Sequence, residues 1–153
     1  MGKIASKLAE LSITLPEAAA PAANYVPFVK SGTMLYISGQ LPFDQGQLLH
    51  NGRLGETLTI EQGYQAARQC AINIVAQIKA AGALEKVKRI VRLGGFVNST
   101  ADFTAQPQVV NGASDLFVAL FGEAGRHARA AVGAPSLPRG VSVEVDAVVE
   151  LEE

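Results

Sequence analysis

The sharpest alternation in the chain lies over residues 141–150. Val141, Val143, Val145, Ala147 and Val149 share one face, and Ser142, Glu144, Asp146, Val148 and Glu150 share the other. A period of two with one apolar face predicts a half-buried strand. Met34, Tyr36 and Ser38 alternate with Leu35, Ile37 and Gly39, which predicts a second strand closing near Gly39. KRIVRLGGFVNS (88–99) reads as a buried strand in which Gly94-Gly95 marks a bulge or a close backbone approach.

Helical spacing marks three other segments. Ile4, Leu8 and Leu11 predict a short helix in KIASKLAEL. Thr59 and Gln62 form a capping box that opens a long helix from about Ile60 to Ala81, with its stripe at Tyr64, Ala67, Ala71, Ile74, Val75 and Ile78. Gly82 stands where a terminating glycine belongs. A further helix spans roughly Pro107 to Phe121, buries Val109, Val110, Ala113, Leu116, Phe117 and Leu120, and is followed by Gly122. LPEAAAPAANYVP (15–27) is too rich in proline for a helix interior and reads as an extended arm. FDQGQLLHNGRLGE is turn-rich, with turns at Gly46 and Asn51-Gly52. Strands, helix, strand, helix, strand make an α+β domain with two long helices on one face of a sheet.

Composition narrows the class. With 153 residues, 48% hydrophobic and 18% charged, the chain has the balance of one compact domain with a real core. A net charge of −1 argues against a nucleic-acid partner, which wants a concentrated basic surface. The basic residues Lys86, Lys88, Arg89 and Arg92 are interrupted by apolar ones and read as a solvated strand edge. Cys70 is the lone cysteine, so no disulfide forms within the chain, and it reads as a small core residue. His50 and His127 offer no zinc-ligand spacing. No signal-peptide core and no membrane-spanning apolar run stands out, so a cytoplasmic protein without membrane partners is expected.

Known catalytic motifs are few. Ser38 lies in SGQ rather than in a nucleophile elbow, and neither histidine has an evident carboxylate to orient it. GEAGRHARAAVG follows a helix and so is no dinucleotide fingerprint. What remains is Arg129 and Glu144, fifteen residues apart with the turn signal SLPRG between them. If ARAAV is a strand and VSVEVDAVV its hairpin-like successor, the two side chains come close, as a surface ion pair or across a site.

Three stretches carry a resemblance. They are S-G-Q-x-P at 38–42, V-N-G-A-S at 110–114 and A-R-x-A-V-x-x-x-x-L-P-x-G-x-x-V-E-V-D-A at 128–147. In these the chain resembles the Rid (reactive intermediate deaminase) superfamily, the YjgF-like proteins also labelled endoribonuclease L-PSP. The likeness runs from Tyr25 onward, within a single domain of residues 1–153 whose first 24 form the helix and arm of a longer subgroup. It implies a chorismate-mutase-like fold and a homotrimer with clefts between subunits. It also implies hydrolysis of reactive 2-imino or enamine acids to 2-oxo acids and ammonia, with no metal or cofactor.

The resemblance assigns the substrate carboxylate to Arg129, whose guanidinium fork grips two oxygens at once. Glu144 matches the glutamate that positions or deprotonates the attacking water. Tyr25 matches an aromatic residue closing the pocket, Ser38 and Gly39 its lining, and Asn111 a pocket asparagine. Ala131 stands where short members carry cysteine, which leaves only a backbone N–H to serve the carboxylate. Gly133 replaces a bulkier polar residue, and His127 stands in place of a frequent proline. Two other functions fit less of the chain. A non-catalytic binder of small carboxylates, or a regulatory interaction protein, needs Arg129 but not Glu144. An endoribonuclease wants an acid–base pair and a basic–aromatic surface.

Overall fold

The structure is a computed structural model that describes residues 2–20 and 23–153. Helix α1 (Lys3–Glu10) buries Ile4 and Leu8. Its free N-terminal amides are met from far along the chain: Ile4 N–H donates to Glu85 Oε1 at 2.8 Å and Ala5 N–H to Glu85 Oε2 at 2.9 Å. The segment 13–20 that follows has neither helix nor strand. Gln77 Nε2 donates to the Ala19 carbonyl at 2.9 Å and ties this arm to the domain. Pro21 and Ala22, within the expected arm, lie outside the described residues.

Among the described residues seven strands follow: β1 (Phe28–Ser31), β2 (Met34–Gln40), β3 (Phe43–Asp44), β4 (Gln47–Leu48), β5 (Val87–Asn98), β6 (Ala128–Ala134) and β7 (Val143–Leu151). β3 and β4 pair only with each other, through a tight turn in which Gln45 (φ 51°) and Gly46 (φ 79°) are both left-handed. The other five form one sheet in the order β1-β2-β7-β5-β6. Its neighbours are antiparallel except β5 and β6, which are parallel.

Helices α2 (Ile60–Ala80) and α3 (Gln106–Phe121) begin and end close to where their local signals put them. Both halves of the capping box form: Gln62 N–H donates to Thr59 Oγ1 at 3.1 Å, and Thr59 N–H to Gln62 Oε1 at 2.9 Å. Gly82 follows α2 with φ 73°, in the left-handed region that terminates helices. The two helices touch at Gly112, where a Cβ would collide with the Tyr64 carbonyl.

Both helices cover one sheet face. Val143, Val145, Ala147 and Val149 point into that layer with Leu35, Ile37, Ile90, Leu93 and Val97, and with Ile74, Ile78, Val109 and Phe117 of the helices. Among the described residues no helix or second sheet covers the opposite face. Glu144, Asp146, Val148 and Glu150 stand there half-buried, and Val29, Tyr36 and Val132 are exposed.

Several expectations are corrected. β6 and β7 are not a hairpin, because β5 lies between them. β6 is reached from β5 through α3, and a helical crossover delivers a parallel neighbour. Lys86, Lys88, Arg89 and Arg92 are all exposed, as a solvated strand edge requires, although β5 itself is interior to the sheet; Lys88 and Arg92 face Glu150 at 3.8 Å and Asp146 at 3.9 Å across to β7. Gly94-Gly95 is a close approach and not a bulge. A Cβ on Gly95 would sit 2.7 Å from Val110 of α3, and one on Gly94 3.1 Å from Asp146 Cγ.

Candidate active site

The sheet register decides where the key side chains go. Leu93 lies between Arg129 and Ala147, so all three point to the helix-covered face. Phe96 lies opposite Glu144, three residues on, and points to the open face. Arg129 and Glu144 of one chain are therefore on opposite sides of the sheet. Their expected approach within the chain is a further correction.

Arg129 runs along α3. Nη1 donates to Ser114 Oγ at 3.0 Å and Nη2 to the Pro107 carbonyl at 3.2 Å. Pro107, Asn111 and Ser114 are spaced by four and three residues, which stacks them on one helix face. Half-buried Asn111 thus belongs to the ridge that the guanidinium follows. Ala131, two residues beyond Arg129, shares its side of β6, and Gly133 follows with Ser99 and Gln106 crowding the space a side chain would need. One half of the expected site, Arg129, Asn111 and Ala131, is assembled here.

The other half gathers at the end of β2. Ile37 pairs with Ala147 and Gln40 with Val145, so Ser38 and Gly39 together face Asp146 as a bulge. Ser38 N–H donates to the Pro27 carbonyl at 2.9 Å and Ser38 Oγ to the Val26 carbonyl at 2.8 Å. These bonds pin the segment that carries Tyr25, whose side chain is exposed. Glu144 lies over Gly39: a Cβ there would be 2.9 Å from Glu144 Cδ. The glycine is what leaves room for the carboxylate.

Glu144 is half-buried, and among the described residues its carboxylate has no hydrogen-bond partner. Burial raises its pKa above the ordinary carboxylate range, and the Asp146 charge on the same face adds to the rise. Burial also raises Asp146, opposed by Arg92 and the Gly94 N–H. Cys70 is inert: burial pushes its thiol well up, helped by Glu144. Among the described residues no group of three or more His, Cys, Asp or Glu side chains could hold a metal ion. No helix of the described residues is long and apolar enough to cross a membrane.

A cavity of about 540 Å³ opens beneath the arm, with Tyr25, Ser38 and Gly39 in its wall beside Gln40, Phe43 and Arg139. Neither Arg129 nor Glu144 lines it. Arg139 stands over the Phe43 ring at 5.2 Å on a left-handed backbone (φ 59°). Sequence reasoning passed over it as part of a turn. It also passed over Ser114, whose signal was its spacing of three from Asn111.

A five-stranded sheet of this order with two long helices on one face has known counterparts. A family model described as "YjgF/chorismate_mutase-like, putative endoribonuclease" matches residues 5–151, and the chain belongs to that family. Its α+β fold is the chorismate-mutase-like fold of the Rid superfamily. Protein TCP17 of Trypanosoma cruzi is 54% identical over 98% of this chain and 95% of its own length. The crystal structure of Atu1372, a protein of unknown function from Agrobacterium tumefaciens, superposes with a TM-score of 0.91 at 49% identity, covering 98% of this chain and 93% of that one. A 2-iminobutanoate/2-iminopropanoate deaminase of Salmonella typhimurium is 33% identical over 90% of this chain and 97% of its own.

Proposed function

We propose that the protein hydrolyses small 2-imino acids to 2-oxo acids and ammonia in clefts shared between neighbouring copies of the chain in a homotrimer. The observation that carries the reading is the division of the site. Arg129, Asn111 and Ala131 lie on one sheet face, and Glu144, Ser38, Gly39 and the Tyr25 segment belong to the other side. Each half is chemically incomplete. The first offers N–H donors for a carboxylate, and the second offers a base without a bound substrate. The name of the Salmonella relative supports the choice of imine.

The chemistry follows from the residues. The guanidinium has five N–H groups, of which two are spent on Ser114 and Pro107. The others receive the substrate carboxylate as a fork, with the Ala131 N–H beside them. This leaves the C=N carbon turned toward the neighbour's glutamate side. Glu144 takes a proton from water as the water oxygen bonds to that carbon, and passes it to the nitrogen, which receives the C=N electron pair. The carbinolamine then collapses: Glu144 takes the hydroxyl proton as the C=O forms, the C–N bond breaks, that proton goes to the departing amine, and a 2-oxo acid and ammonia remain. A base of raised pKa suits this double duty, since it must both accept and return a proton.

The test is a coupled assay in which a dehydratase generates 2-iminobutanoate and 2-oxobutanoate release is timed. The wild type is expected to speed release. Arg129→Lys is expected to lose the effect, because a point charge cannot reproduce the fork. No acceleration by the wild type overturns the catalytic reading and favours a carboxylate binder.

A further inference from the structure

His127 and Ser114 have no part in the proposed chemistry, yet they form a continuous chain with the arginine that does. Gly125 O lies 2.6 Å from His127 Nδ1, His127 Nε2 lies 2.8 Å from Ser114 Oγ, and Ser114 Oγ lies 3.0 Å from Arg129 Nη1. A carbonyl only accepts, so Nδ1 carries a proton, and in the neutral ring Nε2 then keeps its lone pair. The Ser114 hydroxyl must then donate to Nε2, which turns its own lone pairs toward the guanidinium. The ring itself is held edge-on to buried Phe117, with centroids 6.2 Å apart at 78°.

We infer that Ser114 and His127 are positioning residues for Arg129, a relay that holds the guanidinium against α3 with its remaining N–H groups free for a substrate carboxylate. The inference rests on the carboxylate-binding role proposed for Arg129. An arginine has a long flexible stem, and a carboxylate fork requires its plane to be fixed. Here one Nη donates to a hydroxyl whose orientation is set by a histidine, and the other to a helix carbonyl. The neutral histidine is essential to this direction. Burial lowers its pKa, the Arg129 charge lowers it further, and the Gly125 bond opposes them. The positive charge thus stays on the fork and is not shared with the ring.

Binding of 2-oxobutanoate by calorimetry tests the relay in Ser114→Ala, Ser114→Thr, His127→Phe, the Ser114→Ala/His127→Phe double variant and Arg129→Ala. Ser114→Ala and His127→Phe are each expected to weaken binding about five- to tenfold, the worth of a hydrogen bond that orients a charged group. The double variant is expected to bind no worse than about twofold below either single one, because one relay is lost only once. Ser114→Thr keeps the hydroxyl and is expected to restore affinity. In the coupled assay the loss falls on KM, with kcat held within about twofold. Arg129→Ala abolishing binding while Ser114→Ala binds like the wild type overturns the relay alone. So does a double loss that multiplies the single ones, or a Ser114→Thr variant as weak as Ser114→Ala. If Arg129→Ala itself binds like the wild type, the role of the arginine falls and the relay with it. Should His127→Phe fail to fold, the Ser114 pair decides the matter.

Discussion

Mixing two dead variants separates a shared site from a site within one chain. Glu144→Gln removes the base but keeps the shape, and a positioned acid–base group is worth about two to four powers of ten in turnover, or about 3–5 kcal/mol of transition-state stabilisation. Arg129→Ala removes the fork, and losing a charge-assisted contact in a partly desolvated cleft costs about 2–5 kcal/mol. Each homogeneous protein is therefore expected at or below a few hundredths of wild-type activity. The two residues are on opposite sheet faces of one chain, so in the proposed assembly every cleft would take its arginine from one copy and its glutamate from another. In an equal, randomly reassembled mixture, half the arginine sides and half the glutamate sides are intact. About one quarter of the clefts then carry both, given cyclic symmetry. Coexpression of differently tagged chains, purification of the mixed oligomer and the coupled imine assay read this directly. Every mixed trimer carries one intact cleft of three, so recovery near one third of wild-type activity is the expected result for the purified mixed oligomer. A mixed oligomer no more active than its parents refutes the division of the site.

Two other outcomes follow from the surroundings of Glu144. Its pKa is raised by burial and by Asp146, so turnover in the coupled assay should fall on acidification at a pH above the ordinary carboxylate range. The same shift means that the folded chain binds more protons than the unfolded chain between the ordinary and the raised value. Stability from this group is present below that window and lost as pH rises through it. Glu144→Gln should accordingly raise the melting temperature at neutral pH while abolishing turnover, and a lowered melting temperature counts against the shift. Gly39→Ala puts a methyl 2.9 Å from Glu144 Cδ and should displace the carboxylate. About tenfold or greater loss of kcat is expected, with melting little changed, since a misplaced base is costly even in an intact fold.

The helices were legible because their signals are local. The capping box at Thr59 and Gln62 and the glycines at 82 and 122 act within a turn of the helix they bound, and nothing distant overrides them. Short strands were not legible. β1 is four residues of FVKS, and β3 and β4 are two residues each, too brief to establish a period. Pairing order was hidden for a different reason. Nothing in ARAAVGA or VSVEVDAVV says that β5 will come between them; that follows from α3, which carries the chain from β5 to a parallel neighbour.

The site was half legible on the same grounds. Alternation put Glu144 opposite Val143 and Val145, and the structure agrees. Arg129 sits in a strand of alanines, where no apolar period marks the face, so its side could only come from the register with Leu93. That one assignment changes the meaning of the site. The two faces of a sheet look into layers about 10 Å away on either side, and a substrate of three or four carbons cannot reach through the backbone between them. A carboxylate held by Arg129 meets a glutamate only if a second chain brings its own open face alongside. Val29, Tyr36 and Val132, exposed on that open face, are the apolar groups such a neighbour would cover. In the proposed assembly Glu144 shares the open face with the apolar groups that would hold the copies together, so loosening the assembly is expected to part the base from a neighbour's arginine and lower the activity in step.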